Sequence, residues 1–229
     1  MVQSGTLKLW DTETLMYTKL QYISQGLTSK EQLENIQGVL DAGCHWVQLR
    51  FKNGEHNELY DLAEKVKMLC STLHATFIMN DHVDIAKSVD ADGVHLGLLD
   101  MPVEKARSIL GYGKIIGGTA NTIQDVMMRM NEKCDYIGLG PFRFTSTKEK
   151  LSPVLGLEGI AQIMDKIIHD KKRIPVYAIG GITLNDISAL MKTGIFGVAV
   201  SGEITNHSNK KELIQKFNSL LYEEFNHCR

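Results

Sequence analysis

Eight short segments rich in apolar and β-branched residues recur along this chain, and helix-patterned stretches separate them. The predicted strands are Leu20 to Ser24, Trp46 to Phe51, Thr76 to Asn80, Gly93 to Gly97, Lys114 to Thr119, Tyr136 to Gly140, Pro175 to Gly180 and Gly197 to Ser201. Apolar residues spaced three and four apart predict helices at Lys30 to Ala42, Asn57 to Leu73 and Lys210 to Phe225. Alternating strands and helices indicate parallel pairing through helical crossovers. We therefore predict an α/β fold, a single (β/α)₈ TIM barrel.

A doubly wound open sheet is the alternative architecture. Such a sheet normally carries a glycine-rich phosphate loop after its first strand. Neither G-x-G-x-x-G nor G-x-x-x-x-G-K-[ST] occurs in the sequence, which favours the barrel. The length of 229 residues fits one barrel without a second domain. We expect residues 1–18 to form an N-terminal extension and residues 19–229 to form the catalytic domain.

Charge and cysteine content exclude several classes of protein. The 25 basic and 27 acidic residues nearly balance, which argues against a general nucleic-acid binder but allows a local cationic pocket. The four scattered cysteines fit neither a zinc knuckle nor a disulfide-rich secreted scaffold. No apolar run reaches the ~18 residues of a transmembrane helix, and the N-terminus lacks a signal-peptide pattern. We expect a cytoplasmic protein without a nucleic-acid or membrane partner; its oligomeric state stays open.

A cationic stripe ends the second predicted strand. In a TIM barrel the active site forms at the carboxyl ends of the strands. Period-two alternation places Gln48, Arg50 and Lys52 on one side of that strand. Two cations at the end of a parallel strand are unsuited to the helical layer, so we expect this stripe to line the barrel mouth. The alternative is that Lys52 begins a solvated loop.

Two aspartates follow neighbouring strands, Asp81 after the third and Asp100 after the fourth. Mg²⁺ favours one or two carboxylates together with phosphate oxygens, so this pair predicts a magnesium site. The alternative is that each aspartate caps the helix that follows it. His95, within the fourth strand, is expected to have a structural or solvent role.

The remaining strand ends carry groups suited to phosphate. Thr119 ends the fifth strand, where its hydroxyl could contact substrate or simply begin the next helix. Hydroxyl side chains and a lysine follow the sixth strand at Thr145, Ser146, Thr147 and Lys148. They suit phosphate or pyrophosphate, with an exposed polar loop as the competing interpretation. Small residues follow the seventh and eighth strands, where barrels commonly bind phosphate, at Gly181, Ser201 and Gly202.

Taken in order, these motifs resemble the thiamine-phosphate synthase family. The resemblance runs from about Leu20 to Ile204. It includes Gln48-Leu49-Arg50-x-Lys52, Asn80-Asp81, Asp92-Gly93-Val94-His95-Leu96-Gly97 with Asp100-Met101-Pro102, Gly138-Leu139-Gly140-Pro141, Thr145-Ser146-Thr147-Lys148 and Ala178-Ile179-Gly180-Gly181-Ile182. Each motif alone is a modest signal, but their order and spacing together are highly specific.

The resemblance implies a transferase with two small-molecule substrates. It would condense 4-amino-2-methyl-5-(diphosphooxymethyl)pyrimidine with 4-methyl-5-(2-phosphoethyl)thiazole, or its carboxylated precursor, to thiamine monophosphate by a dissociative, Mg²⁺-assisted loss of pyrophosphate. The implied pyrimidine-diphosphate contacts are Gln48, Leu49, Arg50, Phe51, Lys52, Asn80, Thr119 and Lys148. The implied Mg²⁺ ligands are Asp81 and Asp100. The implied thiazole-phosphate contacts are Thr145, Ser146, Thr147, Gly181, Ser201 and Gly202.

The chain departs from the family pattern at three places. Thr119 stands where serine is usual and keeps the hydroxyl, Leu98 replaces a common polar residue, and Ser201-Gly202 replaces a frequent Ile-Ser pair. Two alternative functions are a thiazole tautomerase-like paralogue and a non-catalytic phosphate-ligand sensor. The complete diphosphate set favours the synthase over both; its members are Arg50, Lys52, Asp81, Asp100 and Lys148.

Overall fold

The computed structural model describes residues 17–52, 54–144, 153–167 and 174–223. Within them, eight parallel strands close into a barrel in sequence order, with β8 pairing to β1. The strands are β1 (Leu20–Ile23), β2 (Trp46–Leu49), β3 (Thr76–Asn80), β4 (Gly93–Leu96), β5 (Ile115–Ala120), β6 (Tyr136–Leu139), β7 (Val176–Ile179) and β8 (Gly197–Val200). The predicted TIM barrel is confirmed. Most of the predicted N-terminal extension, residues 1–16, lies outside the described residues.

Helices cover the outside of the barrel. They are α1 (Ser29–Asp41), α2 (His56–Thr72), α3 (Val83–Ser88), α4 (Val103–Leu110), α5 (Ile123–Asn131), α6 (Gly156–Ile167), α7 (Ile187–Met191), α8 (Gly202–Thr205) and α9 (Lys210–Glu223). The side chains of Thr122 and Asp125 cap α5 reciprocally, because each accepts a hydrogen bond from the other's backbone. None of the described helices is both long and apolar enough to cross a membrane.

The barrel interior changes character along its axis. At the amino end of the strands it is filled by an apolar cluster of Trp46, Ile78, Tyr136, Tyr177 and Phe196. Their rings pack edge to face, with centroids 5.3 to 5.6 Å apart, which is a favourable aromatic geometry. Toward the carboxyl end the buried interior side chains are polar: Gln48, Asn80, His95 and Thr119. Because aromatic rings fill the amino end of the barrel and polar side chains line the carboxyl end, the site is expected at the carboxyl ends of the strands.

Candidate active site

Two buried amides from neighbouring strands form one wall of the site. Gln48 on β2 donates from Nε2 to Asn80 Oδ1 on β3 at 2.8 Å, and their exposed fractions are 2% and 9%. Gln48 Oε1 is buried and has no hydrogen-bond partner among the described residues. Because buried acceptors are normally satisfied, this oxygen fits an N–H donor from a ligand.

Arg50 and Lys52 leave the end of β2 beside these amides. The Arg50 amide donates to Ser24 Oγ at 2.8 Å, and Gln32 Nε2 donates to the Arg50 carbonyl at 3.3 Å. Arg50 is half-buried and Lys52 is exposed. Both positive charges act to lower the pKa of Asp81, so the two cations lie on the same side of the barrel as that carboxylate.

The two apolar members of the same motif point elsewhere. Leu49 and Phe51 are buried in the layer between the barrel and its helices. Their side chains therefore stabilise the fold, and a ligand contact would have to use their backbone groups.

Asp81 and Asp100 meet across the ends of β3 and β4. Asp100 acts on the pKa of Asp81 both as a hydrogen-bond partner and through its negative charge. Asp100 Oδ2 also accepts from the Gly97 amide at 2.6 Å. The capping alternative is wrong for both aspartates, because α3 and α4 begin after His82 and Pro102 without a side-chain cap.

The backbone and the charge of Asp81 are both unusual. Its φ angle is 64°, in the left-handed region that few non-glycine residues adopt and that occurs at functional sites. Burial, followed by the hydrogen bond and the negative charge of Asp100, raises the pKa of Asp81 to about 7. The charges of Lys52 and Arg50 oppose this rise. Two neighbouring carboxyl groups favour a divalent cation between them, because its charge offsets their mutual repulsion.

His95 connects Thr119 to the barrel interior. Its Nε2 lies 3.0 Å from Thr119 Oγ1, and its Nδ1 lies 3.0 Å from Tyr136 Oη. Tyr136 Oη also accepts from Gln21 Nε2 at 3.2 Å. The expected structural role of His95 fits its burial. Its link to Thr119 had no signal in the sequence pattern.

The opposite side of the mouth lies after β7 and β8. Gly181 follows β7 with φ of 68° and is exposed, while the half-buried Ser201 and Gly202 start α8. Arg143, after β6, donates to the Gly181 carbonyl at 2.9 Å and forms a two-bond ion pair with Asp186. This arrangement fixes the β7 loop against the β6 loop.

Four predicted site residues lie outside the described residues: Thr145, Ser146, Thr147 and Lys148. Leu98, where the family pattern has a polar residue, is 37% exposed on the loop after β4. The structure thus brings together the β2, β3, β4 and β5 members of the predicted set. The roles of all these residues as ligand contacts stay predictions.

Comparisons with known proteins agree with this geometry. Residues 20–204 match the family model described as thiamine monophosphate synthase. The chain is 57% identical over 207 residues to a thiamine-phosphate synthase of Flavobacterium johnsoniae, covering 90% of this chain and 98% of the relative. A Bacteroides fragilis thiamine-phosphate synthase is 48% identical over 185 residues, covering 81% and 91%.

A solved structure gives the same result. The chain is similar to a thiamine phosphate pyrophosphorylase from Pyrococcus furiosus with a TM-score of 0.78 and 31% identity, covering 90% of this chain and 96% of that one. The matched residues include every described strand and the loops that carry the candidate site. The chain therefore belongs to the thiamine monophosphate synthase family.

Proposed function

We propose that this protein is a transferase that joins the pyrimidine diphosphate to a thiazole phosphate, forming thiamine monophosphate and releasing pyrophosphate. The observation that carries the proposal is the convergence of two cations and two carboxylates at one end of the barrel, with the charges of Arg50 and Lys52 acting on Asp81 beside Asp100. A site that binds only a monophosphate has no need of this carboxylate pair.

Asp81 and Asp100 fit a magnesium ion and would hold it. No group of three or more His, Cys, Asp or Glu side chains suited to a metal occurs within the described residues, which disfavours a structural zinc site. Mg²⁺ needs fewer protein ligands, because water and substrate phosphate oxygens complete its octahedron. The ion would supply positive charge to the leaving diphosphate.

The chain's own residues would bind and orient the substrate around that diphosphate. Arg50 and Lys52 neutralise the charge that grows on the leaving oxygens, which lowers the barrier because the cations are already in place. Gln48 Oε1 accepts from the amino group of the pyrimidine, satisfying its buried lone pairs. Thr119 lies on β5, three strands along the barrel from Gln48 on β2.

The reaction needs no strong base from the protein. The bond between the methylene carbon and the diphosphate oxygen breaks, and its electron pair leaves with pyrophosphate. The thiazole nitrogen then supplies the pair for the new carbon–nitrogen bond. This nitrogen carries no proton, so none has to be removed.

The test supplies both substrates with Mg²⁺ and measures pyrophosphate together with thiamine monophosphate. We expect equal amounts of both, each dependent on both substrates. A tautomerase would release no pyrophosphate, and a sensor would bind ligand without turnover; either result would refute the proposal.

A matched pair of variants tests the carboxylate site. Asp81→Asn should lower kcat/KM by about 100-fold or more, the scale seen when preorganised charge is lost. Asp84→Asn removes an exposed carboxylate three residues away, on α3, and should leave kcat/KM within about 2-fold. Equal losses in both variants would contradict the assignment of Asp81.

We also propose that the protein works in the cytoplasm. Three cysteines, Cys44, Cys70 and Cys134, are buried as free thiols, which supports a reducing compartment. Fractionation of cells that express the full chain would test this location.

A further inference from the structure

Arg129, near the end of α5, is a buried cation directly beneath the candidate site. Its exposed fraction is 3%. Nε donates to the Thr119 carbonyl at 3.1 Å, and Nη2 donates to the Gly97 carbonyl at 2.8 Å and, more weakly, to that of Leu96 at 3.4 Å. Nη1 pairs with Glu132 at 2.9 Å. One guanidinium therefore binds the carboxyl ends of both β4 and β5.

The β4 contact leads directly to the carboxylate pair. The Leu96 carbonyl and the Gly97 amide belong to one peptide group, and that amide donates to Asp100 Oδ2. A cation at the carbonyl oxygen polarises the peptide and strengthens its N–H as a donor. The Gly97 carbonyl also accepts from the Asp100 amide at 3.3 Å. Arg129 thus holds the short loop that aims Asp100.

The chain makes room for this side chain at Gly118. A Cβ at that position would lie 2.6 Å from Arg129 Cδ and 2.8 Å from its Nε. No real Cβ approaches so closely, so any larger residue at position 118 would displace the guanidinium. The placement of the Arg129 side chain therefore depends on glycine at position 118.

We infer that Arg129 is a positioning residue that sets the placement of Asp100 relative to Thr119. Through them it determines how tightly the site binds a divalent cation and the pyrimidine diphosphate. The inference rests on the proposed function. Burying a guanidinium is costly, and this one uses its donors on strand-end carbonyls at the functional end of the barrel.

Arg107 on α4 provides a matched control. It donates to the Lys114 carbonyl and pairs with Asp135 at 2.5 Å. It therefore binds β5 from outside as Arg129 does, but at the amino end of the strand, away from the site. Loss of either arginine should destabilise the fold, and only loss of Arg129 should alter the site.

The experiment compares Arg129→Lys with Arg107→Lys in the full chain. Lysine keeps the charge but lacks the planar fork that spans two strand ends. Mn²⁺ binding, followed by electron paramagnetic resonance without substrate, reports the carboxylate pair directly. We expect Arg129→Lys to weaken Mn²⁺ binding about 10-fold, as for other groups that orient a metal ligand. It should also raise KM for the pyrimidine diphosphate, whereas Arg107→Lys should lower only the melting temperature.

The possible results separate this inference from the proposed function. Equal Mn²⁺ binding by wild type and Arg129→Lys would overturn the inference, as would an equal loss in Arg107→Lys. A wild-type protein that binds Mn²⁺ but makes no thiamine monophosphate would refute the proposed function instead. If Arg129→Lys does not fold, Gly118→Ala displaces the guanidinium without removing it and should weaken Mn²⁺ binding likewise; unchanged binding would overturn the inference.

Discussion

Removing one hydroxyl from the barrel interior, by Tyr136→Phe, tests how the protein orients Thr119. An amide nitrogen only donates, so Gln21 Nε2 gives its proton to Tyr136 Oη. We predict that the phenol directs its own proton to His95 Nδ1. His95 therefore carries its proton on Nε2 and donates it to Thr119 Oγ1. The Thr119 hydroxyl then keeps its own proton to donate.

The size of the effect follows from what the substitution keeps and removes. Phenylalanine preserves the ring, whose centroid lies 5.3 Å from that of Trp46 and 5.6 Å from that of Tyr177. Two buried groups, the Gln21 amide and the His95 ring nitrogen, lose their hydrogen bond to the phenol oxygen, at about 1–2 kcal/mol each. The total of about 2–4 kcal/mol corresponds to a fall in melting temperature of roughly 4–16 °C for a chain of this size.

Nitrogen-15 NMR of the His95 ring, together with thermal unfolding, is the assay. Burial raises the pKa of the Tyr136 phenol well above its ordinary value, so the phenol keeps its proton throughout the working range of pH. We expect the Nε2–H tautomer in the wild type and a mixture of tautomers in Tyr136→Phe. Tyr177→Phe is the control, because that hydroxyl donates to the Thr18 carbonyl at 2.7 Å and does not touch His95. A wild-type protein with the proton on Nδ1 would refute the reasoning.

Three further predictions concern charge and thiols. Burial acts to raise the pKa of Asp186, but Arg143 and the Thr183 donors outweigh it and hold that pKa below its ordinary value. Asp186→Asn should therefore lower the melting temperature at pH 7, and the difference should shrink as pH falls through the carboxyl range; a constant difference would contradict this. Because the pKa of Asp81 is raised from 3.8 to about 7, its ionisation costs stability increasingly as pH rises between those values. Asp81→Asn should stabilise the metal-free protein more at pH 8 than at pH 5, as measured by urea unfolding. Burial raises the thiol pKa to about 11 or 12 in three cysteines, so these should react with a thiol reagent at pH 8 only after unfolding, a result that mass mapping of labelled Cys44, Cys70 and Cys134 would check.

The strand positions could be predicted from the sequence, because a short apolar run between two helices fits few elements other than a buried strand. The errors lie at the strand ends. β2 ends at Leu49 rather than Phe51, because the Arg50 amide bonds to the Ser24 hydroxyl instead of continuing the ladder. Alternation beyond Leu49 nevertheless placed Arg50 and Lys52 near the carboxylates, since a chain leaving a strand keeps its direction for a residue or two.

The site could be predicted as a set of strand-end residues but not as a network. The topology alone brings Asp81 and Asp100 to neighbouring strand ends, so their proximity was predictable. The left-handed backbone of Asp81 and the raised pKa of its carboxyl group depend on contacts that no local pattern encodes. Arg129 lies in the last turn of α5, where the sequence pattern predicts an exposed cation. Its burial is explained by the space that Gly118 leaves on the outer face of β5.

The two consecutive glycines of β5 show how positioning is divided in this barrel. A Cβ at Gly117 would lie 2.1 Å from the Tyr136 ring inside the barrel, whereas one at Gly118 would meet Arg129 on the outside. Each glycine therefore makes room for a large side chain that acts on Thr119. Tyr136 acts on the hydroxyl through His95, while Arg129 holds the carbonyl. Since the two contacts come from opposite faces of the strand, the direction of the hydroxyl and the position of the backbone can be altered separately. Tyr136→Phe should change the first without the second, and Arg129→Lys should change the second without the first.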